Sequence, residues 1–496
     1  MGQTLINNSS IYVGNSAMTV ADTLTAKALT NTGTLTLDGA SATAAGSMSI
    51  ASAAGFGVAG HLTGTVSLSG YSAIAFASGS ISNIDSGAWL ALSGAHAFIE
   101  NATLNANSAL AGLSAIAGSL YVNGGAKIAA AAALQVSGLL SVDSYTNYTY
   151  AGSGGSTVSV AGALTTASGG NVDLGSSNLT STVALSAASL KNAGTLNVSG
   201  GSSAATAAKL TVASAAGFGV AGQLAGTVDL SGDATIAFVS GQITSIASGA
   251  TLNLSGASAG ITEGGAASAL QGLATNSGNL YLSDAALKTT GALVNNSYIE
   301  VDTDYGNGGS SLTIGGLLTN SGNMSIGSYG LAQDDVVTAG SLLNSSKAYI
   351  SLSGNPNHFN ATLAVAGAIT NNGYFDLYND TETLAGAVGG NGSFSLDNSS
   401  LDFGASVGSG ENLNLSGLDT LTLGHADLFA ASISGFGADD TIVASNFGTG
   451  TTSSFADDIL TLTSGATSAH IHFSGAYVAA DFAVTASSTG TTVKFV

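Results

Sequence analysis

The sequence predicts an all-β protein, a right-handed parallel β-helix (β-solenoid) with a small β-rich C-terminal cap. Three observations lead there. Apolar residues recur two apart in short runs, Gly accounts for 70 of 496 residues, and the chain repeats itself at two length scales. Apolar residues make up 45% of the chain and charged residues 7%, against roughly 25% charged in an average globular domain. Disorder needs low hydrophobicity with many charges or prolines, so this chain can bury a core. Gly, Ser, Thr and Asn disfavour helix interiors, and no long helix-periodic run stands out against them.

The short repeat is a turn followed by a strand. Its clearest form is Leu273-Ala-Thr-Asn276-Ser-Gly278-Asn-Leu280-Tyr-Leu282. An Asn is followed two residues on by Gly or Ser, then by an apolar pair four and six residues after the Asn. The same order recurs from Asn31, Asn192, Asn295, Asn320 and Asn371, and Asn344 begins a looser version reaching Ile350 and Leu352. Further triplets follow the pattern: Leu35-Thr-Leu37, Val66-Ser-Leu68, Leu90-Ala-Leu92, Leu134-Gln-Val136 and Leu312-Thr-Ile314. Residues two apart share one face of a strand, and flanking Gly, Ser, Asn or Asp ends each strand in a turn. One such strand cannot bury its inner face alone. Stacking coil on coil at roughly 4.8 Å forms continuous apolar ladders, and roughly 20 coils would make a rod on the order of 100 Å. The Asn residues suit a corner, because Asn tolerates the left-handed region and bonds nearby backbone. They are expected to stack as a polar ladder. A β-sandwich or propeller would instead need antiparallel blades with a periodic aromatic or Gly motif, which 6% aromatic residues do not supply.

The long repeat groups these coils. Ala51-Ser-Ala-Ala-Gly-Phe-Gly-Val-Ala-Gly60 recurs identically at 213–222, an offset of about 160 residues, the scale of whole repeat blocks. Gly64–Gly70 matches Gly226–Gly232, Ala73-Ile-Ala-Phe76 matches Thr235-Ile-Ala-Phe238, and Val142-Asp143 matches Val301-Asp302. The expected organisation is a solenoid over 1–430, with copies at about 28–189, 190–341 and a partial 342–430, then an end module over 431–496. That last segment carries longer alternations, Ile459–Thr463 and Ala469–Phe473, read as a hairpin with a five-residue loop.

Charge narrows the partners. Net charge is −21, and all seven basic residues are Lys. Nucleic acid requires clustered Lys and Arg, and anionic lipid requires a basic patch, so neither is an expected partner. There is no Cys, hence no disulfide or thiolate metal site. The start shows no signal peptide, and no apolar run reaches the roughly 18 residues of a membrane span. The abrupt start within a repetitive pattern suggests a piece of a larger protein.

The Asn-x-Gly/Ser-x-apolar-x-apolar units and the Gly-rich long block resemble β-solenoid surface proteins of Gram-negative bacteria, of the filamentous-haemagglutinin and autotransporter-passenger type. The likeness covers roughly residues 20–430. It implies an exported protein at the bacterial cell surface, acting as an adhesin or spacer. Neither a membrane-barrel domain nor a start-proximal secretion domain is recognisable. Gly435–Ile442 is similar to ends found on very large repetitive bacterial proteins.

Acid–base glycan cleavage needs two carboxylates facing one cleft; the candidates are Asp302 with Asp304, and Asp376 with Asp380 and Glu382. Solvated acids on an outer face or turn are the plainer reading. Lyases of this architecture usually rely on Arg or Lys beside a bound metal, and the chain has no Arg. His470 and His472, or the pairs Asp439-Asp440 and Asp457-Asp458, are candidate metal ligands, with Ca²⁺ as the cation suited to oxygen donors. Gly389-Gly-Asn-Gly-Ser-Phe394 begins like a calcium nonapeptide but has Phe where the ligand Asp belongs. Trp89, Tyr145, Tyr148 and Tyr150 are candidate sugar-stacking residues. The expectation is a non-enzymatic extracellular structural and adhesive protein without catalytic residues or cofactor. Its partners would be host or cell-surface glycans or proteins, or its own copies. A glycan-active β-helix enzyme is the alternative, and an ice-binding face ranks last because Thr is not in phase.

Overall fold

A computed structural model describes residues 3–101, 103–144, 154–265, 267–303, 307–355 and 359–496. The protein is all-β, built from long, mostly parallel sheets in the manner of a β-solenoid. It divides into two compact units, one of residues 1–243 and 250–269, the other of residues 244–249 and 270–496.

In the first unit, ten short strands from Ser10–Val13 to Thr251–Ser255 pair in parallel. Ile11, Leu35, Val66, Leu90, Leu120, Leu140, Val172, Leu196, Val228 and Leu252 stand in one register column. The residues two further on form a second inward column, Val13 to Leu254, through Leu37, Leu68, Leu92, Val122 and Val142. Apart from Ile11 at the start, these columns are buried, and the alternation follows from side chains of a strand pointing to opposite faces. A second parallel sheet closes the coils from Leu62 through Ile84, Ile116, Val136 and Thr166 to Asn192.

The duplicated block folds the same way twice. Phe56 meets Phe76 edge-on with centroids 5.7 Å apart, and Phe218 meets Phe238 at the same separation. Gly64 and Gly226 both sit at φ +68°, where a Cβ would strike the Asn31 and Asn192 amides respectively. Only glycine allows that approach.

In the second unit the inward column runs Leu280, Ile299, Met324, Ile350, Phe375, Phe394, Leu413 and Ile433. Parallel pairing continues through Ser432–Ser434 and Thr441–Ala444. Beyond them it becomes largely antiparallel. Strands Thr452–Ala456, Ile459–Ser464 and Thr467–Phe473 form successive hairpins, and Phe482–Ser487 pairs with Gly490–Phe495, which pairs in turn with Thr441–Ala444. The expected five-residue loop at 464–468 is shorter: Ser464 pairs with Thr467, leaving Gly465 and Ala466 as a two-residue turn. Gly465 supplies the positive φ (+62°) that a tight hairpin turn requires.

Candidate functional site

The asparagines form a buried corner column. Asn276, Asn295, Asn320, Asn344 and Asn371 each end a strand and are wholly buried. Each Nδ2 donates to the Oδ1 of the next, at 2.9, 2.9, 3.0 and 2.9 Å over sequence separations of 19, 25, 24 and 27. Each of the first four also donates to a main-chain carbonyl of the following coil: Tyr298, Asn323, Tyr349 and Tyr374. A directional ladder leaves one donor over at its end. Asn371 gives that donor to the Glu411 carboxylate at 3.1 Å. The rung after Asn371 is Gly390, where a Cβ would sit 1.9 Å from the Asn371 carbonyl and 2.9 Å from Glu411 Oε1. Glycine therefore opens the path for the carboxylate. Burial pushes the Glu411 carboxyl up to about 7.

In the first unit the same corner is only partly polar. Asn7 donates to Asn31 at 2.7 Å, and Asn31 donates to the Thr63 and Thr65 carbonyls. Asn192 donates to the Ala225 and Thr227 carbonyls, both at 3.1 Å. Between Asn31 and Asn192 the register holds Ile84, Ile116, Val136 and Thr166. None of the ladder asparagines lies in the left-handed region; that conformation falls at Asp143, Asp284, Asp302, Asn379 and Asn398, each directly after a strand end, and at Lys347. The asparagines serve by hydrogen bonding alone.

The candidate catalytic acids are bound up in these corners. Asp302 accepts from the Asp284 and Ser310 N–H groups, as Asp143 accepts from Gly124 and Ser156 in the preceding copy. Asp335 shares the Ser310 N–H and is hydrogen-bonded to Asp302. Burial, reinforced by the Asp302 hydrogen bond and charge, pushes Asp335 up to about 8. Two carboxyls this close do not both ionise readily. Asp304 lies outside the described residues. Asp380 caps the Ala361 N–H and Glu382 caps the Leu363 N–H. Both are buried, which raises them to about 7 and about 8. Asp376 accepts from the Tyr349 hydroxyl at 2.7 Å.

The candidate metal ligands are dispersed among local roles. Asp440 is buried and both its oxygens are taken, by the Asp419 and Gly437 N–H groups; its neighbour Asp439 is exposed. Asp457 and Asp458, both at positive φ, are the two-residue turn between paired Ala456 and Ile459. His470 and His472 are exposed on one strand, with His470 Nδ1 3.2 Å from the Thr461 hydroxyl. Among the described residues, no three His, Cys, Asp or Glu are grouped to hold a metal ion. Phe394 of the calcium-like segment is a core residue, 5.2 Å from Phe375.

An open concavity lies elsewhere, on the first unit. Strands Gly46–Ala53, Thr65–Ser78 and Trp89–Glu100 pair side by side, placing Ser47, Ala73 and Phe98 in one row and Tyr71 beside His96 in the next. After Glu100 the chain turns through a 3-10 segment at Ser108–Leu110, and Lys127–Ala130, further along, pairs with Thr157–Val160. Asn107 locks that detour, accepting from the Ile99 N–H and donating to the Lys127 carbonyl. The resulting groove of about 890 Å³ is lined by Tyr71, His96, Phe98, Glu100, Lys127 and Thr157, among others, within the size range of ligand clefts. Tyr71 and His96 stack at 4.2 Å and 13°, and the His96 ring meets Phe98 at 87° and 6.3 Å. Glu100 accepts the Asn105 N–H at 2.6 Å, and burial raises its carboxyl against that bond.

Sequence reasoning missed this groove because its residues come from separate coils. Placing the two copies side by side would have exposed it, since Tyr71 aligns with Asp233 and Phe98 with Gly260. Of the sugar-stacking candidates, Trp89 stacks on Tyr121 at 4.7 Å, and Tyr145, Tyr148 and Tyr150 lie outside the described residues. Comparison with protein-family models finds no match, and comparison with curated proteins likewise finds none.

Proposed function

We propose that the chain is a non-enzymatic scaffold of a bacterial surface adhesin, akin to the large repetitive β-solenoid type, holding binding surfaces outside the cell. In this reading the coils wind right-handedly, as connections between parallel strands of one sheet nearly always do. Residues 431–496 act as the end cap, and their antiparallel hairpins cover strand edges that would otherwise invite pairing. The partners are host or cell-surface glycans or proteins.

One observation carries the proposal. The buried ladder asparagines and the carboxyls of Asp380 and Glu382 are engaged in coil architecture, Asn bonding Asn and each carboxyl capping a backbone N–H, while the groove is built from outward rows of a parallel sheet. Weak contacts repeated along such coils add through effective concentration. The strong net negative charge opposes self-association and favours solubility. The competing reading, a glycan-cleaving enzyme, predicts turnover instead. Retention of the full chain on cells and on glycan-coated surfaces, measured beside a polysaccharide-degradation screen, separates the two: retention without cleavage is expected, and cleavage without retention overturns the proposal.

A further inference from the structure

We infer that the groove formed by Tyr71, His96, Phe98, Glu100 and Lys127 is a binding site for an uncharged saccharide. Its shape supplies the first reason. The stacked Tyr71–His96 pair and the Phe98 ring set at 87° to His96 make a right-angled aromatic corner. A sugar's C–H faces pack on such rings while its hydroxyls reach outward. The polar lining supplies both partners those hydroxyls need: the Glu100 carboxyl accepts, the Lys127 ammonium donates, and Thr157 and Ser159 do either. A few polar groups around an apolar floor is the usual composition of a ligand cleft.

The second reason is internal to the chain. The copy around 208–263 repeats this part of the fold in the same register, with Lys209, Thr235 and Gly260 in the row held by Ser47, Ala73 and Phe98. There Asp233 stands for Tyr71 and Ser258 for His96. The coil thus forms without any of the three rings. His96 is exposed and Tyr71 and Phe98 are partly exposed; aromatic side chains open to solvent and dispensable to the scaffold point to a ligand. An anionic ligand is disfavoured by a chain of net charge −21 and by the carboxyl in the groove itself. A long basic ligand would need more than one carboxyl here, so an uncharged saccharide fits best.

The groove's biological use rests on the adhesive reading above. The test uses the full chain, titrated by calorimetry with neutral gluco-, manno-, galacto- and N-acetylglucosamine oligosaccharides. At least one should bind, and the double variant Tyr71→Asp/His96→Ser, carrying the residues of the other copy, should weaken it about tenfold or more. His96→Ser alone, at an exposed position, guards against misfolding and should weaken binding severalfold, while Asp233→Ala should leave it unchanged. Absence of binding across the panel, or binding equal in the variants, overturns the inference. So does a concentration-dependent dimer abolished by His96→Ser, which would assign the groove to a second copy. If glycan-coated surfaces retain wild type and double variant equally, the groove assignment falls and the adhesive reading stands. If calorimetry shows groove binding but no surface retains the chain, the adhesive reading falls and the groove stands.

Discussion

Replacing Asn320 by Asp changes one atom type at the centre of the polar ladder and leaves the shape nearly intact. Asn320 Nδ2 donates to Asn344 Oδ1 and to the Tyr349 carbonyl, both at 3.0 Å, and its Oδ1 accepts from Asn295 at 2.9 Å. A carboxylate there would face two acceptors it cannot satisfy, so the introduced carboxyl stays protonated and serves one of them. One hydrogen bond worth about 1 kcal/mol is lost and one buried acceptor is stranded at about 1–3 kcal/mol, giving a cost of about 2–4 kcal/mol near pH 5. Because the introduced carboxyl is buried, its folded pKa is raised. The unfolded chain ionises first, and the cost grows as pH rises, by at most about 1.4 kcal/mol per unit. Urea unfolding at pH 5 and pH 8, with hydrogen exchange following residues 293–352, measures both quantities. Asn296→Asp is the matched control: Asn296 is exposed and should stay within about 0.5 kcal/mol of wild type. Equal, small effects at both positions would refute the ladder as a stabilising element.

Further expectations follow from the corners. Asp335, Asp380, Glu382 and Glu411 are held at about 8, 7, 8 and 7, so the native state carries more protons than the unfolded chain between roughly pH 4 and 8. Their contribution is fully present below the unfolded value near 4 and is lost as pH rises through 7 to 8, so melting of the second unit should fall on the order of 5 °C between pH 5 and pH 8.5; a rise would contradict the burial of these groups. Gly390→Ala places a Cβ 1.9 Å from the Asn371 carbonyl at φ +129°, and should cost about 3 kcal/mol or more in chemical denaturation. Asp143→Ala removes acceptors from the Gly124 and Ser156 N–H groups and should cost about 3 kcal/mol in the first unit's unfolding free energy. Asp457→Asn with Asp458→Gly suits the left-handed turn, and should raise hairpin stability by about 0.5–1 kcal/mol with no change in its response to added Ca²⁺.

The inward columns were legible because strand side chains alternate strictly: Leu280, Ile299 and Met324 announce their shared face by spacing alone. The corner asparagines were legible by recurrence, although the conformational reason for them was misplaced. Hydrogen-bond reach decides the Asn corner, and the left-handed conformation sits at Asp143 and Asp302, just past the ends of strands Leu139–Val142 and Tyr298–Val301. Local sequence could not separate Asp439 from Asp440, since one faces solvent and the other caps the Asp419 N–H of the neighbouring coil. Nor could it reveal that Asp457 and Asp458 are a hairpin turn, because both the turn and a cation site favour adjacent acids. The groove depends on register between coils, which places Tyr71 beside His96 although 25 residues separate them in sequence, a spacing close to that of the coils themselves.

Hydrogen exchange of the full chain, with and without the tightest neutral oligosaccharide, asks most directly whether buried polar groups build the coils while the lateral groove binds. Protection confined to residues 42–47, 71–75, 95–101, 105–111, 127–129 and 157–159 is the predicted result. Protection centred instead on the carboxyl-rich corners at 302–311 and 376–384 would place ligand chemistry where only architecture is expected, and would contradict the account.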